Sequence, residues 1–580
     1  MPQPFEVLQA DPGALAALTP PLHPLLGRLL ALRGIADLPT AEAFLRPSLQ
    51  TLPDPMQMAD MGVAVRLVAE ALAAHKVICI YGDYDADGIS AAALLYELFA
   101  ALGHPVRVFL PDRFRDGYGL HHARLQELCD EGVQLLISVD CGTTSVAEIG
   151  AVRARGCDFI VCDHHALGPT LPPANALLNP LRPDCRYADK SLSAVGIALV
   201  LAQALRRELA QRGREEKLAL TSLIQLAALG TIADMAPMHG VNRILCWHGL
   251  RALGKSARPG IQALARRNPK VADISADRVG FHLAPHVNAT GRMADPQTAF
   301  KLLTTLDPLE AAALAEQIDL DNNRRKEAQA QASGAALAAA RAQAGREDAV
   351  VVAHADWHQG VVGIVANRLK DELRVPALVL AVCADGMARG SGRSIPGYDL
   401  VAGLHHVHDG GLLERFGGHA MAAGLTLRAD RLETLRQRLQ AHVAAVLPRT
   451  ARDGTLRVDA ELTVPELTLD LLDVLDELEP YGKGNERPHF LLRDVELHRP
   501  TVVGKNQDWC KATLLEPGPQ PHWARKGVGL FSARALLTGF ADSDRLDVIV
   551  RVERNAFRGR TEVQAGLVAV RRSEPTGHLA

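Results

Sequence analysis

Aromatic residues are scarce in this chain and long apolar runs are missing. Phe, Trp and Tyr supply 4% of the 580 residues while 48% are hydrophobic overall, so the cores must be built mainly from Leu, Ala and Val. No segment approaches the ~20 consecutive apolar residues of a membrane-spanning helix. Met1-Pro2-Gln3-Pro4-Phe5 lacks the basic start and apolar core of a secretory signal. The expected protein is therefore cytoplasmic, neither exported nor anchored, with no membrane partner. The nine cysteines contain no Cys-x-x-Cys pair, and their odd number argues against a secreted disulfide framework. A Gly-x-Ser-x-Gly elbow is also missing, which removes the usual signature of a serine hydrolase. There is no excess of positive charge either. The formal net charge is −3, so no global basic field advertises a nucleic-acid partner, although a carboxylate-rich site would mask local basic patches in that sum.

The chain does carry a repeated pattern. Four short apolar runs, Val77 to Tyr81, Val106 to Leu110, Leu135 to Val139 and Phe159 to Cys162, each end in polar residues. They lead into Gly82-Asp83-Tyr84-Asp85-Ala86-Asp87-Gly88, Pro111-Asp112-Arg113, Asp140-Cys141-Gly142 and Asp163-His164-His165. Runs of aliphatic and β-branched residues this short, bounded by Gly, Pro or Asp, read as buried strands. Helical stretches such as Ile89 to Ala101 and Ala147 to Arg155 separate them. Alternating strands and helices imply a doubly wound parallel sheet, in which residues just after several strands converge on one crevice.

Asp87 alone would read as a helix cap or turn residue. Asp83, Asp85 and Asp87 at alternate positions repel one another unless a cation or water-filled cleft absorbs the charge, so metal binding is the better reading. Oxygen ligands with an imidazole from His164 or His165, and no thiolate pair, favour Mg²⁺ or Mn²⁺ over structural zinc. Two ions are expected, with Asp140 as a candidate bridge at a spacing of about 3.5–4 Å. Asp234, closing the largely apolar stretch before Met235, is the candidate last ligand.

The remaining chain divides by composition. Residues 1–50 are helical and proline-punctuated and are expected to cap the next domain, an α/β domain over 51–309. Residues 310–345, rich in Ala, Gln, Glu and Arg and free of proline, fit one long, partly exposed helix spanning a cleft. A second α/β unit is expected over 346–448, with strands near Ala349 to Ala353 and Ala377 to Ala381. Glycine-rich turns are expected at Arg389-Gly390-Ser391-Gly392-Arg393-Ser394 and Gly417-Gly418-His419, where backbone N–H, hydroxyl and guanidinium groups meet a phosphate. Over 449–580, short alternating strands such as Leu456 to Leu462 and Leu546 to Val552 suggest a β-barrel. From Lys505 onward Lys and Arg number 12 against 8 Asp and Glu, with Trp509, Trp523, Phe531 and Phe557 interleaved, a composition suited to single-stranded nucleic acid.

Two patterns are set aside. Gly249-Leu250-Arg251-Ala252-Leu253-Gly254-Lys255-Ser256 matches a phosphate-binding loop in letter, but helix-like Asn242 to His248 precedes it where a strand is required. Pro259-Gly260 would also break the helix required after such a loop. His121-His122 and His405-His406 lack nearby acids and read as surface or capping residues.

Tyr-Gly-Asp-Tyr-Asp-Ala-Asp-Gly-Ile-Ser at 81–90, Asp-Cys-Gly at 140–142, Asp-His-His at 163–165 and Asn-Ala-Thr-Gly-Arg-Met at 288–293 resemble the DHH phosphoesterase superfamily. Within it the chain is similar to the bacterial RecJ exonucleases. The likeness covers nearly the whole length, with Gly-Gly-His at 417–419 matching the DHH-associated domain and the last segment an OB-fold. It implies a 5′→3′ exonuclease specific for single-stranded DNA, dependent on Mn²⁺ or Mg²⁺, releasing 5′-mononucleotides in recombination and repair. By motif it implies that Asp83, Asp85, Asp87, Asp140, His164 and Asp234 hold the metals, with Asp140 in the chemistry, while Asp163 and His165 orient ligands or move a proton. Arg113, Arg292, Ser391, Arg393 and His419 are expected to hold the terminal 5′ phosphate and backbone. It further implies a monomer that works with a single-stranded-DNA-binding protein and a RecQ-type helicase. Where the superfamily's pyrophosphatases begin the first motif with His, this chain has Tyr81. The alternatives are a phosphodiesterase of short oligonucleotides or cyclic dinucleotides, and a silent nucleic-acid scaffold, which the intact acid and histidine set disfavours.

Overall fold

The computed structural model describes residues 4–117, 119–213, 220–268, 274–345, 348–448, 455–504, 507–557 and 559–573. Lys505 and the side chain of Phe557, both part of the basic, aromatic segment above, lie outside the described residues. Two compact units form: Met1–Leu52 with Pro237–Trp247 and Gly454–Ala580, and Pro53–Ala236 with His248–Asp453.

The chain opens with strand β1 (Phe5–Val7) and helices α1 (Pro12–Leu18), α2 (Pro24–Leu32) and α3 (Leu38–Leu45). Each helix carries a proline in its first turn and is capped by the side chain before it, Asp11, His23 or Asp37. These helices pack inside their own unit. Leu25, Leu26, Leu29 and Leu30 of α2 enter one core with Leu472, Leu475, Phe490 and Leu492, about 450 residues later in sequence. An apolar stripe on a short helix is buried wherever a complementary face is available, and sequence order does not say where that is.

The second unit begins with α4 (Met61–Ala73) and a five-stranded sheet, β2 (Ile78–Gly82), β3 (Val106–Phe109), β4 (Leu135–Val139), β5 (Asp158–Cys162) and β6 (Ala176–Leu178). All its pairings are parallel, and the order is β3-β2-β4-β5-β6. The connecting helices are α5 (Ala86–Ala101), α6 (His122–Asp130) and α7 (Val146–Ala154). Tyr81, Leu136, Phe159 and Val161 face Leu125, Leu128, Ile149 and Val152 of α6 and α7 on one side. The strand order reverses between β2 and β4, and such a switch point opens a crevice at the carboxyl ends of the strands. β6 is a fifth strand that the apolar runs did not announce, being only three residues long.

Helices α8 (Ala194–Gln211), α9 (Leu220–Ala233), α10 (Gly240–Leu253), α11 (Pro259–Arg267), α12 (Ala276–Arg278), α13 (Ala284–Met293) and α14 (Gln297–Thr304) come next, then the 35-residue α15 (Pro308–Ala342). The Gly-Lys-Ser stretch begins inside α10, and Ser256 Oγ donates to Gln225. It has no preceding strand, so the phosphate-loop reading fails on structure as well.

Beyond α15 a mixed sheet runs β10-β11-β9-β8-β7, made of β7 (Val350–His354), β8 (Ala377–Val382), β9 (Met387–Arg393), β10 (Arg415–His419) and β11 (Ala422–Arg428). It is flanked by α16 (Val362–Leu373), α17 (Leu400–Val407) and α18 (Leu432–Val446). The two glycine-rich segments expected as turns are strands β9 and β10. Gly390 and Gly392 are there for space: a Cβ on either would lie 2.4 Å from Leu380 or Leu378. Because β9 is paired on both sides, its backbone N–H groups serve the ladder, and only Ser391 and Arg393 side chains remain for a ligand.

The first unit is completed by β12 (Leu456–Val458), which pairs in parallel with β1, then β13 (Ala460–Glu461), α19 (Leu469–Asp476), β14 (Phe490–Val503), β15 (Trp509–Leu515), β16 (Gly527–Ala533), β17 (Arg545–Phe557) and β18 (Arg560–Arg572). The last six strands pair in the order β13-β14-β15-β16-β18-β17, and β14 also pairs with β17, as a barrel requires. Trp509 and Phe531 stack on one another at 4.9 Å across β15 and β16. Among the described residues no helix is long and apolar enough to cross a membrane.

Candidate metal centre

Each acid cluster sits where its strand ends. After β2 the chain turns through Asp83 and Tyr84 into α5. Asp85 caps that helix, its Oδ1 accepting the N–H groups of Asp87 (2.9 Å) and Gly88 (3.1 Å). Gly88 lets the first turn lie on the Asp83 backbone, since a Cβ there would be 2.7 Å from Asp83 N and O. Asp87 caps a different helix: its carboxylate accepts N–H groups from Ala194 (2.7 Å) and Val195 (3.0 Å) at the start of α8. Both oxygens are thus engaged, yet a carboxylate has about four acceptor positions, so Asp87 can still face a cation. Asp140 comes directly after β4 with φ 64°, a left-handed conformation that costs a non-glycine residue energy and marks a constrained site.

Asp163 comes directly after β5 and is fully satisfied. Its oxygens accept N–H groups from Thr143 (3.0 Å), His164 (2.8 Å) and His165 (3.2 Å), and Oδ1 lies 2.7 Å from His165 Nδ1. His164 Nε2 lies 3.2 Å from Asp140 Oδ1 and its Nδ1 lies 3.9 Å from Asp234 Oδ2. Asp234 comes from the end of α9, one residue past Ala233.

Three sets of side chains bring ligand atoms within 4.8 Å of one another: Asp83, Asp85 and Asp140; Asp87, His164 and Asp234; and Asp140, Asp163, His164 and His165. The first two sets share no residue, and the Asp140–His164 contact joins them, so the site could hold two cations. The electrostatics fit. Burial first, then neighbouring acids, pushes Asp83, Asp87 and Asp140 well above the usual carboxylate range. Burial, with the His165 charge beside it, lowers His164 to about 4, leaving a neutral imidazole suited to a metal. Asp83 Oδ1 and His164 Nε2 are buried and, among the described residues, have no hydrogen-bond partner. Such orphaned polar atoms are costly unless something absent from the protein itself completes them. Asp163 and His165 differ: despite burial, their mutual hydrogen bond and charge hold Asp163 below the usual range and raise His165 to about 9.

A group of opposite sign lies nearby. The Arg113 guanidinium stands over the Tyr84 ring, 4.7 Å from its centroid. Arg292, at the end of α13, donates to Gly360 O (3.2 Å), and burial, then Arg113 and Arg325, lowers it to about 10. Arg393 donates to Ser391 Oγ (2.7 Å) and is lowered by burial and by Arg113. Gly363, in the first turn of α16, lets the backbone lie close to this pair, since a Cβ there would be 3.1 Å from Ser391 Oγ and 3.2 Å from the Arg393 guanidinium. Among the described residues these three arginines meet a ring, carbonyl oxygens and a hydroxyl, and form no ion pair with a carboxylate. His419 stacks on His165, ring centroids 5.9 Å apart, so β10 brings the second α/β domain to the acid cluster.

The structure therefore brings together the acids, histidines and arginines, with Ser391, that the sequence offered as metal and phosphate ligands. It adds two that were missed. Arg325, half-buried on α15, belongs with the arginines; the polar run Asn322-Asn323-Arg324-Arg325 inside an alanine-rich helix was its only signal. Asn288 Oδ1 accepts the N–H of Ala86 (2.9 Å), tying α13 to the first acid motif. Gly291 permits that approach, since a Cβ there would lie 2.2 Å from Tyr84 O.

Comparison with known proteins bears on this geometry. The DHH family N-terminal domain matches residues 77–231, the DHHA1 domain 347–445 and the RecJ OB domain 458–568. RecJ of Dickeya dadantii, a single-stranded-DNA-specific exonuclease, is 36% identical over 572 residues, covering 96% of this chain and 97% of its own. The chain belongs to the RecJ family. RecJ of Bacillus subtilis is 34% identical over 564 residues, 97% of this chain and 70% of the relative. The crystal structure of Thermus thermophilus RecJ with Mn²⁺ superposes with a TM-score of 0.82 at 30% identity, covering 98% of this chain and 80% of that one. Its Mg²⁺ complex gives 0.77 at 28%.

Proposed function

We propose that this RecJ-family protein hydrolyses phosphodiester bonds from the 5′ end of single-stranded DNA, releasing 5′-mononucleotides with the aid of two Mn²⁺ or Mg²⁺ ions. The observation that carries the reading is a largely buried cluster of acids and histidines, with orphaned ligand atoms, set beside half-buried arginines that form no ion pair with a carboxylate among the described residues. Relatives named as single-stranded-DNA-specific exonucleases, one solved with Mn²⁺ and with Mg²⁺, support it.

Asp83, Asp85 and Asp140 would hold one ion and Asp87, His164 and Asp234 the other. Bound cations lower the pKa of a water nucleophile and neutralise charge on the non-bridging phosphate oxygens. Asp163 fixes the His165 ring through Nδ1 and keeps the imidazole protonated near neutral pH, so His165 can donate from Nε2 to a phosphate oxygen or to the leaving oxygen. Arg113, Arg292 and Arg393, with Ser391 and His419, hold the terminal 5′ phosphate and so choose the end from which cutting starts, without reading bases. The aromatic pair Trp509 and Phe531 gives the barrel a stacking surface for bases of a single strand. In the cell the protein is a cytoplasmic monomer in recombination and repair, served by a single-stranded-DNA-binding protein and a RecQ-type helicase.

The test is product release from a long single strand labelled at the 5′ end in one sample and the 3′ end in another, with Mn²⁺ or EDTA. Early, metal-dependent loss of the 5′ label as mononucleotide supports the reading. Early loss of the 3′ label, internal cuts, or activity confined to very short oligonucleotides overturns it.

A further inference from the structure

Three large apolar side chains stand exposed within two residues of site positions: Phe114 is next to Arg113, Met235 is next to Asp234, and Met421 lies two residues past His419. Apolar side chains around a charged pocket gain nothing from a phosphate or a cation. They suit the flat, apolar face of whatever carries the phosphate.

Phe114 is the best defined of them. It is 44% exposed, yet its loop is tied down. Asp112 Oδ1 accepts the N–H groups of Phe114 (2.7 Å) and Arg115 (3.1 Å), and the Asp112 N–H donates to Asp116 Oδ2 (2.8 Å). The ring meets His358 at 78°, centroids 5.3 Å apart, an edge-to-face arrangement that aromatic pairs favour. His358 is itself held in a turn, its Nδ1 accepting the Gly360 N–H (3.1 Å) and its carbonyl the Val361 N–H (3.0 Å). Gly360 rests on the Arg292 carbonyl, where a Cβ would come within 2.1 Å. Phe114 is thus one residue from Arg113, and its partner His358 is two residues from the glycine that receives the Arg292 guanidinium.

We infer that Phe114, braced by His358, stacks against the base of the strand's terminal nucleotide while the arginines beside it hold that nucleotide's phosphate. The inference rests on the terminal-phosphate reading above and deepens it. Stacking suits an exonuclease that must accept every base in turn, because all four offer a π-face and none is distinguished by it. Phe114 is then a substrate-positioning residue. It aligns the first phosphodiester bond with the acid cluster and touches no reacting atom.

The test uses the Mn²⁺-loaded enzyme and 5′-phosphorylated single strands whose first nucleotide is either normal or abasic. Release of that nucleotide is monitored in the wild type, Phe114→Ala and Phe114→Trp. Phe114→Ala should raise KM about tenfold on the normal strand, with kcat changed much less. The abasic strand should show the raised KM already in the wild type and no further loss in the variant. Phe114→Trp should behave as the wild type. Equal losses on both strands, or no loss on either, overturn the inference. Should Phe114→Ala fail to fold, Phe114→Leu keeps the bulk without the π-face and is read the same way. A parallel comparison of 5′-phosphate with 5′-hydroxyl ends separates the two ideas: a wild type indifferent to the phosphate sinks the terminal-phosphate reading, whereas the base-stacking inference stands or falls on the abasic comparison.

Discussion

The acid cluster and the arginine group are neighbours with opposite problems. On one side Asp83, Asp87 and Asp140 are buried against one another and resist ionising; on the other, desolvation first and then the neighbouring Arg113 charge make Arg292 and Arg393 hold their protons less firmly. In most proteins such charges neutralise each other in buried pairs. Here most of the acids follow strands β2, β4 and β5, whereas Arg113 follows β3 of the same sheet, Arg292 ends a helix and Arg393 lies on a strand of the next domain. Arg113 acts on Asp83 and Asp85 on Arg292, yet burial outweighs both, and a cation on one side and a phosphate on the other are the species that would complete them. Asp163 and His165 show the contrast within the same cluster, since a satisfied pair there drives both groups toward their charged forms.

Removing one acid should break the comparison most severely. Asp140→Asn is expected to lower kcat on the order of a thousandfold in a 5′-label release assay, while Tm without metal stays level or rises, because a buried carboxyl that opposed folding is gone. Activity within tenfold of wild type would show that Asp140 is not at the centre.

On the arginine side, Arg393→Ala should reduce kcat/KM for 5′-phosphorylated strands by about 10–100-fold and leave 5′-hydroxyl strands nearly unaffected. Equal losses on both would assign Arg393 to packing.

Metal should sharpen the difference as a function of pH. Asp83, Asp87 and Asp140 have folded values above the unfolded one. Their neutral forms favour folding at low pH, and that contribution is lost as the pH rises from about 3.9 through the folded values. Cations relieve the loss by binding the ionised groups. At a hundred times Kd, Mn²⁺ should add about 2.7 kcal/mol to stability, and the Tm gain should be larger near pH 8 than near pH 5 in calorimetry. A gain that shrinks with rising pH would mean the ion binds elsewhere.

The smallest effect concerns a residue that touches neither charge. Asn288→Ala leaves the Ala86 N–H without its acceptor, so stability should fall by about 1 kcal/mol and kcat by a few-fold, with the 5′-phosphate preference intact. Loss of that preference would show that Asn288 serves the arginines as well as the acids.

Much of this was legible in the amino-acid sequence because strand ends and acids coincide in it. Runs such as Leu135 to Val139 are short and aliphatic, and a parallel sheet places the residues just past its strands along one edge, so Asp83, Asp140 and Asp163 could be grouped before any coordinates. Strands β9 and β10 were not legible. Their glycines serve close packing against Leu378 and Leu380 or an extended ladder, yet glycine-rich stretches ordinarily signal turns. Asp87 could be read as a cap, but not as the cap of a helix that begins at Ala194, since the partner is 107 residues away. Arg325 was hidden because one charged face of a long helix looks like any other until its neighbours are known.

The pairing of β1 with β12 carries a consequence for how the molecule is made. Arg28 donates to the carbonyl of Asp459, 431 residues further on. At roughly 5–20 residues per second, the ribosome needs some tens of seconds or more to deliver that partner. Throughout the interval Leu25, Leu26, Leu29 and Leu30 have no core to enter, while the intervening α/β unit can already fold. This segment leaves the ribosome long before its partner strands and is therefore among the last to settle.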